Sequence, residues 1–315
     1  MGYKFVLYIR TLLSNDIQKE YNMTNIKQAG KQVIAHLYYE NYMKRVRRNG
    51  PLVDVCSVSQ TISMLQNTDH SLVRFGDGEL TFIRGRNLQL QNSNRELQKR
   101  LADILGYSHD GLVVSVQDIF NGLNSFVPAS RSFWEDHFFF YHEYYERLCR
   151  HDREYANSLF SRCYITRADK SQCGEWFSQI RKIWEGKDVV VVEGTRTHNG
   201  VDNDLLSLCS SVERILIPPA NAFDAYDRIL GACLKFPSDR LFLISAGASA
   251  KPLTEDLFLK DYRVIDIGNL DMEYCWFLMN AREKVAIQKH SIVGREANRK
   301  AGYLQYLDEI RQEIQ

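Results

Sequence analysis

Two carboxylates separated by one residue and set among glycines, Asp77 and Glu79, stand in the stretch Arg74-Phe75-Gly76-Asp77-Gly78-Glu79, which closes the apolar run Leu72-Val73. On an extended segment side chains alternate, so carboxylates two apart lie on one side. Hard oxygen ligands so placed suit Mn2+ or Mg2+, which take one or two protein carboxylates and fill the remaining positions with water and substrate phosphate. Gly76 and Gly78 would let a ligand approach the backbone closely, and Arg74 offers a planar fork for phosphate oxygens. The same residues also suit a solvated Asp-Gly turn in which a carboxylate caps a helix. A second pair at the same spacing, Asp271 and Glu273, suits either a general base or two charges stabilising a helix N-terminus.

Other polar residues follow the ends of apolar runs. The turn Ser245-Ala246-Gly247-Ala248-Ser249-Ala250-Lys251 reads as a helix opening whose free N–H groups favour an anion, with Lys251 adding a charge, although it lacks Walker A spacing. Small residues for close packing account for that turn equally well. Thr166-Arg167 suits phosphate, or a simple pairing of Arg167 with Asp169. The stretch from Gly194 to Asp204, including Asn203, reads as ligand-lining or as a surface loop, and Asn221 sits in a similar polar turn. His198 has no partner at metal-ligand spacing, so no metal role is assigned to it. The spacing shows neither a Ser/His/Asp nor a Cys/His arrangement.

These residues need elements to position them. Short β-branched runs at 72–75, 112–116, 163–166, 188–193, 214–217, 241–244 and 264–267 read as strands. Helical patterns near 58–65, 95–105, 175–184, around Leu205, 225–234, after Lys251 and after Met272 alternate with them. The central runs are apolar on both faces. The expected fold is therefore α/β, a Rossmann-like, mostly parallel sheet with helices on both faces. Ligands of such sheets bind beyond the carboxyl ends of the strands, where the polar turns fall. Residues 1–50 read as a helical N-terminal extension, with Ile34, Leu37, Tyr38, Tyr42 and Val46 at helical spacing and a basic end at Lys44, Arg45, Arg47 and Arg48. Residues 51–315 read as the main domain, with an aromatic-rich helical insertion around 130–158.

A formal net charge of +1, with 25% charged and 44% hydrophobic residues, lacks the basic footprint of a nucleic-acid binder. Seven scattered cysteines without a C-x-x-C pair argue for reduced thiols rather than a disulfide framework or zinc site. No apolar run is long enough to span a bilayer, and the short run at 5–9 lacks a signal-peptide cleavage site. The expectation is a cytoplasmic chain, with peripheral contact to the inner face of a membrane as the use open to the basic cluster.

Several short motifs in order make the chain resemble the GT-D fold glycosyltransferases, a bacterial family of nucleotide-sugar-dependent enzymes. The resemblance covers roughly residues 57–285. It rests on Arg74 to Glu79, Tyr164-Ile165-Thr166-Arg167, Val192-Glu193-Gly194 with Asn203-Asp204-Leu205, Pro219-Ala220-Asn221-Ala222-Phe223 with Tyr226-Asp227, and Asp266-Ile267-Gly268 with Asp271-Met272-Glu273-Tyr274-Cys275-Trp276. It implies a Rossmann-like domain binding a UDP-sugar with Mn2+ or Mg2+ through a D-x-E motif, here Asp77 and Glu79. The loop at 245–251 departs from the family's Gly-Pro-Thr start. The resulting expectation is transfer of glucose or galactose to a saccharide acceptor on a lipid carrier or glycoprotein, with Arg74, Arg167 and Lys251 neutralising the leaving group and Glu273 or Asp271 as base. The rival readings are a metal-dependent nucleotide or phosphate hydrolase and a non-catalytic nucleotide-binding partner in a glycan assembly complex.

Overall fold

A computed structural model describes residues 25–107, 109–287, 289 and 301–315. The first 24 residues of the expected extension lie outside them. From Asn25–Asn49 the chain forms helix α1, whose buried stripe is Ala35, Tyr38, Tyr39 and Tyr42. Leu37 faces solvent instead of joining that stripe. The Tyr39 and Tyr42 hydroxyls donate to the carbonyls of Ile119 and Phe120, tying α1 to the core.

Strand β1 (Asp54–Val55) leads into α2 (Val58–Asn67), where Ser57 and Gln60 close a reciprocal cap. Then come β2 (Ser71–Arg74), the short α3 (Asp77–Ile83), α4 (Arg95–Gly106) capped by Asn94, and β3 (Leu112–Val116). Helix α5 (Pro128–Leu148) starts on a proline, whose missing N–H costs nothing in a first turn. The region expected to stay helical to 158 instead yields β4 (Glu154–Asn157), inserted in the sheet between β1 and β3. The strand expected at 163–166 is a loop. Ile165 and Thr166 line a cavity, Cys163 and Tyr164 pack in the core, and the pairing beside them is an isolated bridge between Arg167 and Phe126.

The second half runs α6 (Cys173–Lys182), β5 (Asp188–Gly194), β6 (Ser211–Ile217), α7 (Tyr226–Cys233), β7 (Leu241–Ser245), α8 (Ala250–Phe258), β8 (Arg263–Asp266) and α9 (Leu270–Leu278). No helix forms around Leu205. Turns fill that stretch, with His198 and Asp202 in left-handed conformations that break a helix. After α10 (Ala301–Glu309), the unanticipated strand β9 (Ile310–Glu313) pairs with the edge of β6.

The nine strands among the described residues are ordered β1-β4-β3-β2-β8-β7-β5-β6-β9, and every pairing is parallel. Val189 to Val192 are all at most 1% exposed although successive side chains point to opposite faces. Both faces of the sheet centre are therefore covered, as expected of a parallel sheet. The parallel α/β architecture read from the sequence is borne out. No helix among the described residues is long and apolar enough to cross a membrane.

Candidate active site

At the carboxyl end of β2 the chain makes a sharp change. Phe75 is fully buried and its N–H donates to Ser115 on β3, so the last strand residues stay in register with their neighbour. Gly76 comes next and α3 begins at Asp77. A Cβ on Gly76 would lie 3.0 Å from a Glu79 carboxylate oxygen and 3.4 Å from the Arg74 guanidinium, and one on Gly268 would lie 3.1 Å from the Arg74 side chain. Glycine on both sides lets that guanidinium lie against backbone.

Because Asp77 and Glu79 occupy a helix rather than an extended turn, they do not share a side. Two residues on a helix are about 200° apart at 3.6 residues per turn. Asp77 turns outward, its side chain 40% exposed. Glu79 turns inward, where one oxygen accepts the Gly76 N–H at 2.7 Å and the other meets Lys251 Nζ at 2.7 Å. Lys251 also reaches Asp266 at 3.2 Å and donates to the Gly247 carbonyl. Asp266 in turn accepts the N–H groups of Arg74 and Gly268. Burial disfavours ionised Glu79, but Lys251, Arg74 and the Gly76 N–H outweigh it and hold its carboxyl below the usual range. Burial likewise disfavours charged Lys251, and Asp266 and Glu79 overcome it, raising the ammonium. The cation expected to meet phosphate is thus 2% exposed and clamped between two carboxylates.

Above this cluster opens a cavity of about 590 Å³ at the carboxyl edge of β2, β3 and β4. Arg74, Gly76, Asp77 and Thr166, all anticipated, line it. Phe133 and Trp134 of the aromatic-rich insertion also line it, and so do Arg162, Gln117, Arg282 and Lys284, which were not singled out from the sequence. Arg162 follows the 3-10 turn Ser158–Ser161 after β4, so misreading β4 hid it. It lies 3.9 Å from Asp77 and 3.9 Å from Glu273. Burial, then the nearby Arg162 charge, push the Arg74 guanidinium down. Two guanidiniums held at one cavity edge favour a polyanion.

The remaining anticipated residues serve the frame. Glu273 is fully buried and one oxygen accepts the N–H groups of Tyr164 and Ile165, both at 2.9 Å, fixing the cavity loop beneath Arg162. Asp271, also fully buried, binds the Gly200 N–H, Asn203 Nδ2 and Lys289 Nζ. Neither lines the cavity directly, but the second Glu273 oxygen has no hydrogen-bond partner among the described residues and lies 3.9 Å from Arg162, which does line it. Gly194 ends β5 against Pro219, beside buried Glu193, which pairs with Arg214 at 2.6 Å. Asn221 accepts the Asn92 N–H and donates its own N–H to Leu90. Arg167 lies over the rings of Phe126 and Trp176, away from Asp169. Ser249 is buried in the turn before α8, and Gly78 meets Leu88 rather than the cavity.

Behind the cavity, His137 Nε2 lies 3.0 Å from the Tyr145 hydroxyl. Burial pushes the His137 ring down to about 3 from a usual 6.5. The unfolded chain binds this proton below pH 6.5 and the folded chain does not until about 3, so the stability is present above 6.5 and is lost as pH falls. That loss approaches about 1.4 kcal/mol per pH unit. Urea unfolding between pH 7 and 4.5 should show a shallower acid loss for His137→Gln than for wild type; equal slopes would contradict the assignment.

A family model of the GT-D glycosyltransferase fold matches residues 72–294. The chain is 34% identical over 241 residues to the probable glycosyl transferase Gly of Streptococcus gordonii, covering 76% of this chain and 35% of that protein. It is 35% identical over 242 residues to the glycosyltransferase GlyD of Streptococcus pneumoniae serotype 4, covering 76% of this chain and 30% of that protein. The chain therefore spans about a third of the length of these curated relatives. A solved structure of the domain of unknown function 1792, described as a distinct glycosyltransferase fold, superposes with a TM-score of 0.80 at 32% identity, covering 88% of this chain and 100% of that one. A glycosyltransferase of the same domain type from Streptococcus sanguinis gives 0.78 at 32% identity, covering 84% and 100%. With a family match across most of its length and solved relatives matched in full, the chain belongs to the GT-D fold family of glycosyltransferases.

Proposed function

We propose that this chain transfers a hexose, glucose or galactose, from a UDP-sugar to a saccharide acceptor on a lipid carrier or glycoprotein during assembly of a surface glycan. The observation that carries the reading is the convergence of Arg74, Arg162 and Asp77 on one cavity at the carboxyl edge of the sheet. In this reading the bond from the anomeric carbon to the β-phosphate oxygen breaks with its electron pair going to UDP, the acceptor oxygen bonds to that carbon, and the acceptor proton passes to the departing phosphate or to water. Negative charge gathers on the departing UDP. Arg74 and Arg162, held by the Ser158 carbonyl and over Glu273 respectively, are already in place to meet it.

The residues present fit a divalent cation through one carboxylate rather than two. Asp77 lines the cavity, whereas both Glu79 oxygens are engaged inside the protein. Mn2+ or Mg2+ commonly binds through one or two carboxylates with substrate phosphates and water. Held by Asp77 against the diphosphate, it would add Lewis-acid stabilisation to the leaving group.

Calorimetric titration of UDP with and without Mn2+ tests the reading. Wild type should bind UDP more tightly with the metal. Arg162→Ala should weaken binding by about 10- to 100-fold, the value of one or two hydrogen bonds from a charged donor. Absence of UDP binding by wild type, or indifference to Arg162→Ala, would contradict it.

A further inference from the structure

Gln117 follows the end of β3, is 1% exposed and lines the cavity. The Tyr145 hydroxyl donates to its Oε1 at 3.0 Å. That hydroxyl has one hydrogen, so the His137 Nε2–H, 3.0 Å away, donates to the Tyr145 oxygen. The three side chains form a one-way chain of donors running from α5 to the cavity, and the acceptor atom of the Gln117 amide is spent inside the protein. Its Nε2 is buried with no hydrogen-bond partner among the described residues.

A buried amide donor left unpaired is costly, and a buried network holding it in that orientation adds to the cost unless a ligand completes it. The cavity wall shared with Gln117 includes Val127, Trp134, Leu159 and Ile165, all apolar, while Arg74 and Arg162 supply the charges for an anion. A neutral amide beside an apolar wall suits a neutral oxygen better than a phosphate, which the guanidiniums bind more strongly.

We propose that Gln117 Nε2 donates a hydrogen bond to a hydroxyl oxygen of the sugar being transferred, with Tyr145 and His137 as positioning residues that hold the amide. The assignment rests on the nucleotide-sugar reading above. It makes Gln117 a specificity residue for the sugar rather than for the nucleotide. Sites built to bond a substrate hydroxyl discriminate strongly against ligands lacking it.

The test is a pair of titrations in the presence of Mn2+, one with UDP and one with whichever of UDP-glucose and UDP-galactose the wild type binds more tightly. Gln117→Leu should leave the Kd for UDP within about twofold and weaken the nucleotide sugar by about ten- to a hundredfold. Tyr145→Phe should weaken the nucleotide sugar in the same selective way by a smaller factor. Gln117→Glu, which keeps the shape and replaces the donor by an acceptor, reads the same contact should the leucine variant not fold. Equal weakening of UDP and UDP-sugar, or no weakening of either in folded variants, would overturn the sugar assignment while leaving the nucleotide reading intact. A wild type that binds no UDP would overturn that reading itself, and this assignment with it.

Discussion

Lys251→Met should destabilise the fold by about 3–5 kcal/mol, the usual cost of removing one partner from a buried ion cluster. The methionine matches the lysine stem in length, so the change isolates the charge. Without the ammonium, Glu79 and Asp266 remain buried at the junction of α3, β8 and α8, facing each other with only backbone N–H donors and Arg74 to hold them. Burial already raises the Asp266 carboxyl despite the nearby Lys251 and Arg74 charges. Losing Lys251 should therefore force at least one carboxylate to take up a proton on folding. The variant should melt at lower temperature at pH 7 and recover part of the difference at pH 5, where protonating those carboxylates costs less. If Lys251 instead served chiefly as a phosphate ligand, Lys251→Met would keep the wild-type melting temperature and lose UDP affinity.

Asp77→Ala should lower kcat by about 10²–10³ or more, the scale set by removing one preorganised electrostatic group at a developing charge. On the proposed reading it should also abolish the gain in UDP affinity expected with Mn2+. Its stability cost should be small, since Asp77 is partly exposed and contributes mainly through the α3 dipole, worth about 0.3–1 kcal/mol. Glu79→Ala should behave in the opposite sense. It removes the acceptor for the Gly76 N–H and one partner of Lys251, so the melting temperature falls. Melting curves, with UDP titrations in Mn2+ and in EDTA, separate the two roles. Retained metal-dependent binding in Asp77→Ala would sink the single-carboxylate arrangement. Unaltered melting of Glu79→Ala together with lost metal dependence would restore the paired D-x-E ligand expected from sequence.

The contrast between these two carboxylates shows where sequence reading succeeds and where it stops. Val189 to Val192 announce a central strand because four consecutive β-branched residues can be buried only where both faces of a sheet are covered. Arg74-Phe75-Gly76-Asp77 announces a chemically loaded strand end because charge and glycine interrupt an apolar run. Glu154–Asn157 carries too little apolar pattern to announce itself, and it is a strand only because β1 and β3 supply hydrogen bonds on either side. The loop at 163–166 shows the reverse case. Its β-branched and aromatic residues mimic a strand, yet its backbone N–H groups go to the Glu273 carboxylate.

The amino-acid sequence alone determined the alternation of strands and helices, the parallel sheet, and the edge at which polar residues collect. These follow from local periodicity and from side-chain burial that depends on near neighbours in the chain. Tertiary structure decided which charges face the cavity and which face each other. Lys251 lies beside Glu79 and Asp266, Asp271 beside Asn203 and Lys289, and Arg162 beside Asp77, through packing between segments far apart in the chain. Whether a charged side chain meets a ligand or a buried counter-charge depends on those distant partners, because desolvation makes an unpaired buried charge too costly to leave exposed to nothing.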